Sequence, residues 1–114
     1  MRYALLIYGD ETVDTQATKE EMDALMAAYY AFGDQFREQI GASEALLPTS
    51  SATSVRVRDG GTVTTDGPFA ETKEQLGGFY IVTAKDLDEA VQIAANIPGA
   101  KHGVVEVRPV MEFE

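Results

Sequence analysis

Two stretches of this chain, Tyr3-Ala4-Leu5-Leu6-Ile7-Tyr8 and Gly78-Phe79-Tyr80-Ile81-Val82-Thr83-Ala84, are apolar at nearly every position rather than at alternate ones. A strand with one wet face alternates, so a strand that does not alternate needs cover on both sides. Two segments can supply helical cover. The first is expected to open at Thr18, whose hydroxyl can cap the chain, with Glu21 completing a capping box. Met22, Leu25, Met26, Tyr29, Phe32, Phe36 and Ile40 then recur at helical spacing, and Gly41 supplies the expected stop. The second starts at Asp86, with Glu89 in the matching capping position, runs through Leu87, Ala90, Val91 and Ala94, and stops before Pro98-Gly99.

Shorter signals fill the rest of the chain. Ala45-Leu46-Leu47 before Pro48 reads as a short edge strand. Ser54-Val55-Arg56-Val57-Arg58 alternates into the turn Asp59-Gly60-Gly61, and Thr62 to Thr65 returns as the second arm of a hairpin. A loop from Asp66 to Gln75 leads into the second two-sided strand, and Val104-Val105-Glu106-Val107-Arg108 forms the last strand before Pro109. This order predicts an α+β fold, a ferredoxin-like split βαβ with an extra β-hairpin. Two helices cover only one face of such a sheet. A second copy is the simplest cover for the other, which predicts a homodimer joined face to face, a dimeric α/β barrel.

The chain has 114 residues, 45% hydrophobic and 25% charged, which predicts one globular domain over residues 1–114. Its net charge of −10 repels phosphate backbones and anionic membrane surfaces, so neither nucleic acid nor membrane is an expected partner. A small anionic metabolite is admitted only where some of Arg2, Arg37, Arg56, Arg58 and Arg108 gather. There is no cysteine, which removes thiolate chemistry and disulfides. No apolar run approaches the length of a membrane span and no leader pattern opens the chain, so a cytoplasmic location is expected.

Nucleotide motifs are absent: Asp59-Gly60-Gly61 and Gly77-Gly78 read as a turn and the start of a strand, and no cofactor is expected. With a single histidine and no paired carboxylate-histidine ligands on a helix, no metal site is expected either. His102, in Ala100-Lys101-His102-Gly103, is either an exposed turn residue or an acid/base. The segment Asp66-Gly67-Pro68-Phe69-Ala70-Glu71-Thr72-Lys73 has two readings. One is a rigid loop with an anchored Asp66 and a buried Phe69. The other is a functional loop, with Asp66 as proton acceptor and Lys73 or Glu71 completing a polar cluster. Strand alternation puts Glu106 and Arg108 on one face, opposite Val105 and Val107, and Arg56 with Arg58 on one face of the hairpin.

The stretches YALLIYGDE (Tyr3 to Glu11), Glu20 to Met26, DGPFAETKEQLGG (Asp66 to Gly78), Asp86 to Ala90 and VEVRP (Val105 to Pro109) together resemble the DGPF branch of the YCII-related proteins. The resemblance implies a ferredoxin-like subunit and a dimeric α/β barrel. Its fold is similar to that of muconolactone isomerases, one branch is linked to eliminations on muconate-like acids, and other members occur beside or fused to sigma factors of the extracytoplasmic class. The wider group implies a His-Asp pair lining a pocket. Asp66 matches the motif's aspartate, but the lone histidine, His102, does not lie near the first strand or helix.

Two functions are therefore expected to compete. One is a cofactor-free lyase or isomerase acting on a small oxo-acid or lactone, with Asp66 as base, Arg108 (beside Glu106) or Arg56 orienting a carboxylate, and Tyr80 or Tyr8 donating a hydrogen bond. The other is a non-catalytic ligand-binding or regulatory module associated with sigma factors of the extracytoplasmic class.

Overall fold

The computed structural model describes residues 1–113. Strand β1 (Arg2–Gly9) is followed by a short helix α1 (Glu11–Asp14), a long helix α2 (Lys19–Gln35) and strand β2 (Ile40–Ala45). The hairpin β3 (Thr53–Arg58) and β4 (Gly61–Asp66) comes next, then β5 (Gln75–Thr83), helix α3 (Leu87–Ala95) and β6 (Val104–Pro109). Single 3-10 turns precede β3 and β6, at Thr49–Ser51 and Pro98–Lys101. The main sheet has the order β2-β5-β1-β6 with every neighbouring pair antiparallel, the arrangement a split βαβ requires.

The caps form where the sequence placed them. Thr18 Oγ1 accepts from the Glu21 N–H at 3.1 Å while the Glu21 carboxylate accepts from the Thr18 N–H at 3.2 Å, and Asp86 accepts from the Glu89 N–H at 2.9 Å. The expected stop at Gly41 is corrected. Helix α2 ends at Gln35 with Phe36 as its cap, and Ile40 and Gly41 already belong to β2. Ile40 keeps the helical spacing by coincidence, since it points into the same core from the sheet side. The edge strand expected at Ala45-Leu46-Leu47 correspondingly lies earlier, at Ile40–Ala45.

Tyr3 and Leu5 of β1, Val82 of β5, Phe32 of α2 and Ala90, Ile93 and Ala94 of α3 form the core, with Ile97 closing it. Both long helices lie on this one face. The other face carries Ala4, Leu6, Phe79 and Ile81, with Leu6 opposite Phe79 on one side and Glu106 on the other. These four are only partly buried, and the four-stranded sheet of one chain is open rather than closed into a barrel. The hairpin pairs only with itself, and all but Ser54 of its strand residues are exposed. The radius of gyration, 16.1 Å, accordingly exceeds the roughly 13 Å of a compact chain of this length.

Candidate functional site

Helix α2 packs tightly on the sheet along only half its length. Its C-terminal half buries Phe32, but Met22 and Met26 in the N-terminal half are 41% and 50% exposed. A cavity of about 530 Å³ remains between this half of the helix and the end of the sheet where β1 finishes and β5 begins. Ile7, Leu25 and Met26 give it an apolar floor, Asp10, Asp14, Tyr29, Tyr80 and His102 give it polar groups, and strand alternation leaves Tyr8, Glu44 and Phe79 to line it with backbone. Such a mixture, mostly apolar with a few convergent polar groups, is the usual make-up of a small-molecule site.

Each polar group is held by local structure. Tyr80 meets Phe32 edge to face, ring centroids 4.9 Å apart, and Phe32 in turn leans on Phe36 at 5.1 Å. Tyr29 lies against Gly99, where a Cβ would stand 2.8 Å from its hydroxyl and 3.0 Å from Ile7 Cγ2. Asp10 caps α1, its Oδ1 accepting from the Thr12 N–H at 2.9 Å and the Thr12 hydroxyl at 2.6 Å. Those bonds, above all the one from the Thr12 hydroxyl, hold the Asp10 carboxyl below its ordinary value, with a smaller pull from Lys73. Next to it, the Glu11 carboxylate accepts from the Thr49 N–H and hydroxyl, both at 2.7 Å, and the Glu11 N–H donates to Gln75 Oε1 at 3.0 Å. Three loops are thereby tied at one end of the cavity. His102 arrives at its rim because Gly103 lets the start of β6 approach the Tyr8 carbonyl closely.

Burial raises the pKa of both phenols. For Tyr29 the nearby Asp14 carboxylate adds to the rise and a Gly99 backbone group opposes it; for Tyr80 the neighbouring Tyr29 adds to it. Both remain neutral donors at ordinary pH. The linkage has a definite sign: the unfolded chain loses these protons first, at about pH 10. Stability is unaffected below that value and falls as pH rises from it towards the folded-state values. Alkaline titration followed by phenolate absorbance should show a late component to which Tyr29 and Tyr80 contribute. Tyr29→Phe should reduce that late component and shrink the alkaline loss of stability, and a late component unchanged by Tyr29→Phe would contradict this environment.

Of the residues singled out in the sequence, the cavity brings together Tyr80 and His102, the latter exposed at the rim, while Tyr8 lines it with backbone and directs its ring to the face of Leu6. Asp66 ends β4 with its side chain exposed, outside the cavity lining, and Arg56 and Arg58 lie on the same hairpin. Lys73 and Glu71 stand exposed in the following loop. Arg108 donates to Glu106 at 3.0 Å in an exposed pair on the helix-free side of β6. The expectation of a buried Phe69 is corrected: it is 80% exposed, because Gly67, at φ +93°, and Pro68 direct the chain outward instead of over the core. The arginines do not converge, since Arg2 pairs with Glu112 at 2.8 Å and Arg37 with Asp34. Sequence reasoning missed Tyr29, Asp10 and Asp14. Tyr29 was visible only as one member of an apolar stripe, and Asp10 only as a turn residue after a strand. Among the described residues no group of three or more His, Asp or Glu side chains is placed to hold a metal ion.

Residues 1–114 match the YCII-related domain from end to end. The chain belongs to the YCII-related family. A similar protein, the uncharacterized protein R00369 of Rhizobium meliloti (strain 1021), is 41% identical over 118 residues, covering 100% of this chain and 95% of that protein. Within this YCII-related chain the cavity draws on both ends, from Ile7 near the start to Gly103 near the finish, so the whole domain is needed to build it. No helix among the described residues is long and apolar enough to cross a membrane.

Proposed function

We propose that this YCII-related protein binds a small molecule in the cavity under α2 and moves a proton on it without a cofactor, as an isomerase or lyase does. The observation that carries this reading is the meeting, in one mostly apolar cavity, of an imidazole with two neutral, half-buried phenols. His102, exposed at the cavity rim, is the proton acceptor in this reading, and the Tyr29 and Tyr80 hydroxyls are the donors for negative charge developing on a substrate oxygen. Asp66 serves such a site less well, because it lies at the end of β4 outside the cavity lining. The apolar open face of the sheet supports a homodimer in which a second copy seals Leu6, Phe79 and Ile81.

A small-molecule thermal-shift screen, followed by hydrogen exchange in heavy water on the hits, tests the reading. A bound molecule should exchange a carbon-linked proton faster with the protein, and His102→Gln should cut that rate by about a hundredfold or more while binding persists. Hits that bind but neither exchange nor convert would instead favour a ligand-binding or regulatory module, such as one acting beside a sigma factor of the extracytoplasmic class. Its supporting observation is the exposure of Phe69, Val55 and Val57 on and beside a projecting hairpin.

A further inference from the structure

We propose that the cavity selects a small organic cation, a protonated amine on an apolar body, over neutral and anionic molecules of the same shape. This rests on the cavity being the ligand site, and adds the charge of what enters it. Asp10 and Asp14 line the cavity, and no lysine or arginine does. Asp10 is engaged with Thr12, but the Asp14 carboxylate accepts no hydrogen bond from another described residue. It is available to an incoming donor. An anion would have to exchange its hydration for a wall of the same sign, within the field of a chain whose net charge is −10.

The interior strengthens the preference. Tyr29 and Tyr80 bring two aromatic rings to the cavity, and the faces of such rings attract ammonium groups. Phe32 holds the Tyr80 ring at a fixed tilt of 66°, and the Tyr29 hydroxyl lies close against Gly99, so this surface is preformed. The phenol oxygens can also accept hydrogen bonds from an N–H group. Ile7, Leu25 and Met26 receive the apolar remainder of the molecule. The field of Asp14 already reaches the Tyr29 hydroxyl, which places a negative charge and an aromatic wall within reach of one bound amine.

Three probes of matched size decide the matter: 2-phenylethylamine, 2-phenylethanol and phenylacetate, each titrated into the intact protein by thermal shift and by ligand-observed NMR. The amine should bind about fivefold or more tightly than the alcohol, and phenylacetate more weakly than either. Asp14→Asn should close much of the gap between amine and alcohol, as should raised salt, while leaving the affinity for the alcohol unchanged. Met26→Trp, which fills the cavity, should abolish binding of all three. Equal affinities for amine and alcohol, both lost in Met26→Trp, would overturn the charge selection and leave the cavity as a ligand site. Binding that survives Met26→Trp, or no binding by any probe, would overturn both.

Discussion

Gly103→Ala is expected to destabilise the protein by about 3 kcal/mol, the upper part of the range for overpacking, and to disturb the cavity at the same time. A Cβ at Gly103 would collide with the Tyr8 carbonyl oxygen and press on Tyr8 C at 3.1 Å and Gly9 Cα at 3.2 Å. All three are backbone atoms of a paired strand and none can swing aside as a long side chain can. The start of β6 must therefore move off the end of β1, where Tyr8 pairs with Val104. His102, one residue earlier, moves with it. Denaturant unfolding should show the loss of stability, and ligand affinity in the surviving folded protein should fall. Gly33→Ala is the matched control, because it adds the same methyl inside α2 where nothing lies within 4 Å. There alanine's better helix propensity should stabilise by roughly 0.5–1 kcal/mol. Equal effects at the two glycines would contradict the close approach of β6 to β1.

Leu5→Ala is expected to cost about 3–4 kcal/mol and to lower Tm by on the order of 10 °C. Leu5 is wholly buried in the layer between the sheet and the two long helices, beside Tyr3, Val82 and Ile93 in the same cluster. The loss combines the transfer of the isobutyl group with the void left in a layer that backbone on both sides keeps from collapsing. A cost of that size is a large part of the 5–15 kcal/mol that holds a typical domain folded. Leu6→Ala, one residue on, reports the other face. In the homodimer proposed above its cost depends on protein concentration, because the surface it trims is shared with the partner, whereas the cost of Leu5→Ala does not. A concentration-independent effect at Leu6, in a protein that sediments as a single chain, would contradict that dimer.

The helix caps were legible because they are local, although at α3 the Glu89 carboxylate accepts from the Lys85 N–H rather than closing a box on Asp86. Thr18 with Glu21 and Asp86 with Glu89 bond within one turn of their own helix, so the sequence contains both partners at a set distance. The hairpin was legible for the same reason, with Asp59 at φ +53° and Gly60 at φ +76° making the turn. The end of α2 was not. The apolar spacing through Ile40 continues past the last helical residue because helix and strand place residues in one core, and spacing alone cannot distinguish a sixth helical turn from a strand returning to the same layer. Phe69 was misjudged similarly: an aromatic residue carries no sign of which way a Gly-Pro turn sends it.

What the sequence determined by itself is the element order and therefore the fold class, since capping, turn chemistry and hydrophobic period act between residues near one another in the chain. Tertiary structure alone decided the site. Asp14, Tyr29, Tyr80 and His102 come from elements spread over nearly the whole chain, and meet only because the N-terminal half of α2 does not close onto the end of the sheet and Gly99 and Gly103 permit close approach. Gap and clearance are properties of how elements stack in space, and no local pattern of residues encodes them.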